Sequence, residues 1–215
     1  MAQVTLPGNM PKRMEQLPRD DVGRPIPFFV EYIDGKPDFR VMNPKNYRAA
    51  IIRGLCWVCG KPIQKTSKQV FVAGPMCLIN STSAEPPSHM DCAEWSARAC
   101  PFLVNPKKTR RDGNLPAEAD SPGGIMLDRN PGVTALIAAR YWSPVEAGGG
   151  VIIKFRSVEE VRWFAEGREA TREEVAISIS SGLPALVKLA QQEGPDAERA
   201  LGRMYSEALQ WLPPE

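Results

Sequence analysis

Histidine is almost absent from this chain, and so are long apolar runs. His89 is the single histidine in 215 residues. No window holds about eighteen uncharged apolar residues in a row, as a membrane-spanning helix requires. The N-terminal stretch MAQVTLPGNMPKRMEQLPRDD also lacks the apolar core of a secretion signal. We therefore expect neither a membrane span nor export, and predict a cytoplasmic protein.

A strong net charge is also lacking, and the cysteines are few and odd in number. The net charge of +2 is too small to predict a polyanionic partner by itself, although residues 51–112 are richer in basic side chains and residues 151–215 in acidic ones. Five cysteines in a reducing compartment favour metal or thiol chemistry over a disulfide framework. The chain is long enough for one full core or two small domains.

The first part of the chain predicts an arm, a hairpin and a short helix. Residues 1–25 combine proline, glycine and charge without a periodic apolar face, which is typical of a poorly ordered arm. In PFFVEYIDGKPDFRVM, two β-rich runs flank Asp34-Gly35, a pair favoured in tight hairpin turns. Asn43 is the predicted N-cap of a helix that has Pro44 at its first position. This helix leads into the first pair of cysteines.

Four residues have the spacing of zinc ligands. LCWVCGKPI places Cys56 and Cys59 in a turn, and SAEPPSHMDCAEWSARACPFL places His89 and Cys92 three residues apart, on one face of a helix that Ser88 is predicted to cap. Zinc prefers four tetrahedral nitrogen or sulfur ligands, and a turn followed by the first turn of a helix provides them without strain. The sequence therefore predicts a treble-clef-like zinc module with these four ligands.

Other interpretations of the cysteines remain open at this point. They can be small buried core residues, with His89 simply beginning a helix. A thioredoxin-like redox pair of Cys56 and Cys59 is disfavoured, because no βαβ unit surrounds it. Cys77 or Cys100 can replace one of the four ligands, and Cys77 can instead be a helix-start thiol with a lowered pKa.

Several segments resemble a known family. LCWVCGKPI, FVAGPMCLIN, SAEPPSHMDCAEWSARACPFL and VRWFAEGREATREEV are similar to segments of a family of uncharacterised proteins from bacteriophages, prophages and other mobile elements of bacteria. The resemblance runs from about Met10 to the C-terminus. It implies an accessory phage-type protein in the cytoplasm of a bacterial host, and it brings no catalytic residues. Because such accessory proteins often inhibit or redirect a host or defence complex, it also implies a protein partner.

A basic segment follows the zinc motif. Residues 104–124, VNPKKTRRDGNLPAEADSPGG, form a loop or linker by their proline, glycine and charge content. The segment contains four clustered cations: Lys107, Lys108, Arg110 and Arg111. These side chains can grip the phosphates of DNA or RNA, or they can be ordinary solvated charges. No aromatic residue between Phe102 and Tyr141 accompanies them to stack on bases.

Residues 125–215 predict a small antiparallel sheet followed by helices. GIMLD, VTALIAARY and VIIKF read as strands, with a glycine run at 148–150 as one of the turns. Two Ser/Thr-x-x-Glu capping boxes, Ser157 to Glu160 and Thr171 to Glu174, predict helices that end at Gly167 and Gly182. Two more helices follow, and the last carries an apolar stripe that we interpret as core.

Together these patterns predict an α+β protein of four segments. Residues 1–25 are the arm, 26–103 the hairpin with the zinc module, 104–124 the basic linker, and 125–215 the sheet with C-terminal helices. The predicted function is binding without turnover, with a host or defence-system protein as partner. The alternative is a nucleic-acid-binding zinc-finger protein. An HNH-like nuclease or a Ser/His hydrolase is disfavoured, because a zinc-bound His89 leaves no imidazole to act as the base.

Overall fold

The computed structural model describes residues 8–107, 130–147 and 150–215. It is an α+β arrangement of two antiparallel sheets and five α-helices in this part of the chain. The strands are β1 (Val30–Ile33), β2 (Lys36–Met42), β3 (Gln69–Ala73), β4 (Thr82–Ser83), β5 (Thr134–Ala147), β6 (Gly150–Ala165) and β7 (Arg168–Glu169). The helices are α1 (Pro44–Arg53), α2 (Pro75–Asn80), α3 (Met90–Ala99), α4 (Arg172–Glu193) and α5 (Pro195–Ala208). The predicted fold class is confirmed.

The N-terminal hairpin forms as predicted. Strands β1 and β2 pair antiparallel around Asp34 and Gly35, whose φ angles are 50° and 76°. Two successive positive φ angles match the twist of the flanking strands, which is why an Asp-Gly pair is favoured there. Helix α1 follows, with the side chain of Asn43 accepting a hydrogen bond from the backbone N–H of Asn46.

The larger sheet takes strands from both sides of the predicted linker. Its order is β3-β5-β6-β4, with β7 paired to β6. Strands β3 and β4 precede the linker, whereas the long hairpin of β5 and β6 follows it. In a local zinc-module hairpin, the strands between the two ligand pairs would pair with each other. Here these strands, β3 and β4, instead join the main sheet and do not pair with each other.

The sheet is covered on both faces where β3, β5 and β6 run together. Phe71, Ile137 and Trp163 face a core that contains residues of α2, α4 and α5. On the other face, Leu136 and Phe164 pack against Ala93 and Ala97 of α3. Burial on both faces explains why β5 begins with an uninterrupted apolar run.

The prediction of a helix starting at Ser157 is wrong. Residues 157–165 belong to β6, which pairs with β5 through most of its length. Ser157 has a φ of 55° and precedes an irregularity in the register. Glu166 and Gly167, with φ angles of 51° and 79°, form the turn into β7 where a helix end was expected. Pairing with the apolar β5 outweighs a local Ser-x-x-Glu pattern, which is only a weak helix signal.

The predicted stop at Gly182 is also wrong, although the start of that helix is confirmed. Thr171 and Glu174 form a complete capping box at the start of α4. The helix continues through Gly182 and Pro184 to Glu193. Gly182 is buried, and a Cβ built on it would lie 3.0 Å from the side chain of Met76. The glycine thus permits the close approach of α2.

The apolar stripe of the last helix faces the core, as predicted. Leu201 and Ala208 of α5 are buried, and Ala197, Met204 and Tyr205 pack against the same cluster. Leu209, the last residue of the predicted stripe, follows α5 and is the exception, with 38% of its surface exposed.

Part of the predicted arm is packed. The structure places a 3-10 helix at Lys12–Met14, and Met14 is 1% exposed against the cluster of cysteines described below. Met10 and Leu17 pack against the same cluster, and with Met14 they have an i, i+4, i+7 spacing that the expectation of an arm without a periodic apolar face overlooked. Residues 1–7, the predicted strand at 124–128, Gly148, Gly149 and most of the basic linker lie outside the described residues. Within the described part, no helix is both long and apolar enough to cross a membrane.

Candidate metal centre

The first half of the candidate centre is a turn between Leu55 and Pro62. These two residues form an isolated antiparallel bridge that closes the turn. Cys56 N–H donates to the carbonyl of Lys61 at 2.8 Å, and Gly60 N–H donates to the carbonyl of Cys56 at 2.8 Å. Gly60 has a φ of 71°, a left-handed conformation that glycine adopts without a Cβ penalty. The turn presents Cys56 and Cys59 to the same buried point.

Backbone hydrogen bonds anchor this turn to the rest of the fold. Trp57 N–H donates to Pro87 O, and Val58 O accepts from Phe28 N–H. Ser88 exchanges two hydrogen bonds with Val70 of β3. The segment that precedes α3 is thus held beside both the turn and the sheet.

The second half of the centre is the start of α3. The structure places the N-cap at His89, one residue after the predicted Ser88. The backbone of Ser88 instead pairs with Val70 through two hydrogen bonds, and Ser88 is 2% exposed. His89 and Cys92 consequently occupy the N-cap and the first turn of the helix, from which both side chains reach the turn of Cys56 and Cys59.

The four predicted ligand residues lie together. Cys56, Cys59, His89 and Cys92 are all buried, and their ligand atoms lie within 4.8 Å of one another. His89 Nδ1 is 3.5 Å from Cys59 Sγ and 4.0 Å from Cys92 Sγ. A tetrahedral zinc site with ordinary Zn–S and Zn–N bonds places a sulfur and a nitrogen ligand about 3.6 Å apart. The donor set and its spacing therefore suit a metal ion.

Surrounding groups orient the donors. Cys56 Sγ accepts hydrogen bonds from the backbone N–H groups of Cys59 and His89, each at 3.4 Å. His89 Nε2 lies 3.2 Å from the carbonyl oxygen of Pro62. Since a carbonyl can only accept, Nε2 carries a proton, and Nδ1 is the nitrogen that faces the thiols. Such outer contacts fix the tautomer and direction of a ligating histidine.

The electrostatics concentrate negative charge at Cys56. Burial opposes ionisation of this thiol, but hydrogen bonds from Cys59, Cys92 and His89 outweigh burial and hold its pKa far below the usual range. The pKa of Cys92 is raised, because its hydrogen bonds with Cys56 and Cys59 and its burial favour the neutral thiol. Burial lowers the pKa of His89, yet the contacts with Cys56 and Cys59 raise it to about 9. The pocket thus favours a positive charge at its centre.

The centre is closed to solvent. Cys56 and Cys92 are 0% exposed, Cys59 is 7% and His89 is 8%. Met14 and Trp95 pack against the cysteines in one apolar cluster. Arg13, beside Met14, donates to Asp91 of α3 at 3.0 Å. Three separate stretches of the chain therefore meet at this point.

The other two cysteines stand apart from the cluster. Among the described residues, the group of Cys56, Cys59, His89 and Cys92 is the only one of its kind, and neither Cys77 nor Cys100 belongs to it. Cys77 lies in the first turn of α2, but burial raises its pKa to about 11, so the alternative of a helix-start thiol with a lowered pKa is wrong. No disulfide joins any of the five cysteines, all of which lie in the described ranges.

Of the four predicted nucleic-acid-binding residues, only Lys107 lies in the described ranges. Lys107 is exposed, and its backbone N–H donates to Asn105 Oδ1 at 3.1 Å. Lys108, Arg110 and Arg111 lie outside the described residues. A binding role for this cluster stays a prediction.

Comparisons with protein-family models, with curated proteins and with solved structures return no match.

Proposed function

We propose that the cluster is a structural zinc site and that the protein works by binding a macromolecule, without turnover. The carrying observation is the buried set of three thiols and one imidazole at the spacing of tetrahedral ligands. Soft sulfur ligands with one imidazole are typical of zinc, whereas magnesium and calcium take oxygen. The ligands would be Cys56, Cys59, His89 and Cys92. When bound, the ion cross-links the two segments that carry these residues.

The closed geometry supports a structural role over a catalytic one. A catalytic zinc site keeps one position open for water or substrate, whereas a structural site has four protein ligands. The four donors here are at most 8% exposed. They come from the turn before Pro62 and the start of α3, and Met14 of the N-terminal segment packs on them. An ion at this point would join these stretches and stabilise the fold.

The position of His89 also argues against catalysis by imidazole. It is the only histidine, its Nε2 donates to Pro62 O, and its Nδ1 faces Cys59 and Cys92. A Ser/His hydrolase or a His-metal nuclease needs an imidazole free to take a proton from the nucleophile. We therefore place the protein among binding proteins.

The phage-type role rests on the sequence resemblance alone. That resemblance implies an accessory protein that modulates a host or defence-system protein in a bacterial cytoplasm. A nucleic-acid partner is the second candidate, and the exposed cations around Tyr141 on the main sheet favour it, as argued below.

The test joins metal analysis to partner capture. Protein purified without chelator should contain one zinc ion per chain by elemental analysis, and a metal-free preparation would refute the structural-zinc proposal. Tagged protein is then used as bait in bacterial lysate, with and without nuclease treatment. The Cys59→Ser variant, which should lose the metal, is the control for binding that depends on an intact centre. Partners that survive nuclease support a protein target, and partners lost with nuclease support nucleic acid. Turnover of any captured substrate would contradict the binding-only role.

A further inference from the structure

The hairpin of β5 and β6 turns a group of polar side chains outward at mid-length. Arg140 and Tyr141 are consecutive exposed residues on β5, and Arg156 and Ser157 are consecutive exposed residues on β6. Regular alternation would bury one member of each pair. A register shift between Ala138 and Ala139, together with the positive φ of Ser157, breaks the alternation. Irregularities of this kind redirect side chains and often mark functional surfaces.

The exposed side chains form one patch, which we call the β5–β6 patch: Arg140, Tyr141, Lys154 and Arg156. Arg156 is the direct cross-strand partner of Tyr141, and Lys154 pairs with Ser143, two residues further along β5. The guanidinium carbon of Arg140 lies 5.8 Å from the centre of the Tyr141 ring. Tyr141 is 60% exposed, the highest value for an aromatic side chain in the described ranges. The patch thus joins one accessible ring to three cations.

The cations of this patch are poorly compensated. Within the part of the chain that the structure describes, Lys154 and Arg156 have no ion pair, and Arg140 has only Glu159 at 3.9 Å, with both side chains largely exposed. An exposed pair of this kind contributes little. Three like charges gathered in one patch repel one another, so the hairpin gains no stability from this arrangement.

The neighbouring cations of the same sheet contrast with the patch. Arg162 contacts both Glu160 and Glu94, and Lys68 also contacts Glu160. The hydrogen bonds from Lys68 and Arg162 hold the pKa of Glu160 below its usual range. Charge is therefore balanced beside α3 and left positive around Tyr141, which makes the β5–β6 patch a local site of attraction for anions.

We propose that the β5–β6 patch binds single-stranded nucleic acid, with Lys154, Arg156 and Arg140 contacting phosphates and the Tyr141 ring stacking on a base. Proteins that bind single strands combine a basic surface with exposed aromatic rings. A duplex would use the cations but would not offer an unstacked base to the ring. This assignment rests on the proposed binding function and selects its second candidate, nucleic acid, as the partner. The alternative ligand is an acidic polypeptide, which would bind the cations without contacting the Tyr141 ring.

The test uses the full-length, zinc-containing protein and fluorescence anisotropy of labelled dT12 and U12 oligonucleotides. The Lys154→Ala/Arg156→Ala variant should bind at least tenfold more weakly at low salt, and its log–log salt slope should be shallower by about 0.7 for each lost contact. Tyr141→Ala should lose about tenfold, and Tyr141→Phe should recover most of this loss, since stacking needs the ring and not the hydroxyl. Lys188→Ala/Arg203→Ala removes two exposed charges from α4 and α5 and should change nothing.

Each contrary result points to a different conclusion. Unchanged affinity in the Lys154/Arg156 and Tyr141 variants would overturn the assignment. A loss seen only when Lys107, Lys108, Arg110 and Arg111 are neutralised would move the site to the linker and overturn it equally. If wild type binds poly-glutamate and neither oligonucleotide, the partner is an acidic protein and the proposal fails. Zinc content and cleavage of the oligonucleotide are measured in the same samples, so failure of the structural-zinc, non-catalytic function is seen separately.

Discussion

His89 Nε2 donates to the carbonyl oxygen of Pro62 at 3.2 Å, and this contact ties the start of α3 to the turn that carries Cys56 and Cys59. The hydrogen bond fixes the imidazole so that Nδ1 faces the sulfur atoms of Cys59 and Cys92. One side chain therefore serves both as a candidate ligand and as a link between the two halves of the centre.

Loss of one thiol should release the metal. Cys59→Ser and Cys92→Ser should each lower the bound zinc from one ion per chain to near zero and shift the thermal unfolding midpoint downward, because zinc binding in small structural sites contributes on the order of ten kcal/mol. Elemental analysis and thermal unfolding measure the two effects. Cys77→Ser, the same change outside the cluster, should keep its zinc. Equal metal content in all three variants would show that the thiols do not bind it.

His89→Cys should retain zinc. The substitution keeps a soft ligand at the same position, so a four-thiolate site can form, while His89→Ala should lose the metal. The His89→Cys protein should unfold earlier than wild type, because it lacks the hydrogen bond to Pro62 O. If a nuclease or hydrolase activity is present in wild type, its survival in this zinc-loaded variant places the chemistry elsewhere. Loss of that activity with zinc still bound would identify His89 as the base.

The two pairs of cluster residues could be recognised in the sequence because each pair depends on a short spacing. A Cys-x-x-Cys turn that ends on Gly60 and a His-x-x-Cys pair at a helix start each set local geometry within four residues. The turn at Asp34-Gly35, the cap at Asn43 and the capping box at Thr171 are local in the same sense. What could not be predicted is decided by contacts between distant segments.

Three features illustrate this limit. Residues 157–165 have a helix-start pattern but pair with β5, because the strand gains cross-strand packing that a surface helix would lack. Gly182 stays inside α4 because Met76 of α2 packs against it. Met10, Met14 and Leu17 are separated by proline, charged and polar residues, and only the folded cluster of cysteines shows why they pack together. The β5–β6 patch could not be predicted from the sequence either, because it depends on a shift in strand register.

Gly60→Ala should destabilise the protein more than Gly54→Ala. Both glycines have positive φ angles, 71° and 62°, so alanine costs about 1–2 kcal/mol of backbone energy at either position. Only at Gly60 would the new Cβ also meet a side chain, 2.7 Å from Cδ2 of Phe28. Urea unfolding of the two variants measures the difference, and the added cost should shrink in a Phe28→Ala background. Equal losses for both glycines would mean that the contact with Phe28 relaxes freely.

Metal removal should expose the N-terminal segment to proteolysis. Met14 packs on Cys56, Cys59 and Cys92, so loosening the centre removes the surface that holds it. After treatment with a strong chelator, trypsin should cleave after Arg13 faster than in the untreated protein, while cleavage after Arg203 in α5 should keep its rate. Mass spectrometry of the early fragments reads both sites. A uniform increase at both would indicate global unfolding, and no increase at Arg13 would show that the segment docks independently of the metal.

The capping box of α4 should weaken in acid. Hydrogen bonds from Arg168, and then from the backbone N–H of Thr171, lower the pKa of Glu174 to about 2 from an ordinary value of 4.5. Because the folded-state pKa is depressed, the stabilisation is fully present above about pH 4.5 and is lost as the pH falls toward 2. Carbon NMR of the Glu174 carboxyl should report this low pKa in wild type and a value nearer 4.5 in Arg168→Ala.

The thermal stability of the protein should depend on Glu174 over the same pH range. The difference in unfolding midpoint between wild type and Glu174→Gln should be largest above pH 4.5 and should narrow as the pH falls toward 2, since the charge that Arg168 contacts disappears only in wild type. Glu173→Gln is the control: it removes a carboxylate from the same helical turn, but among the described residues Arg168 pairs with Glu174 and not with Glu173. The difference in unfolding midpoint between wild type and Glu173→Gln should therefore narrow less as the pH falls. If the Glu174→Gln difference is independent of pH from 6 to 2.5, the carboxylate's contact with Arg168 does not stabilise the start of α4.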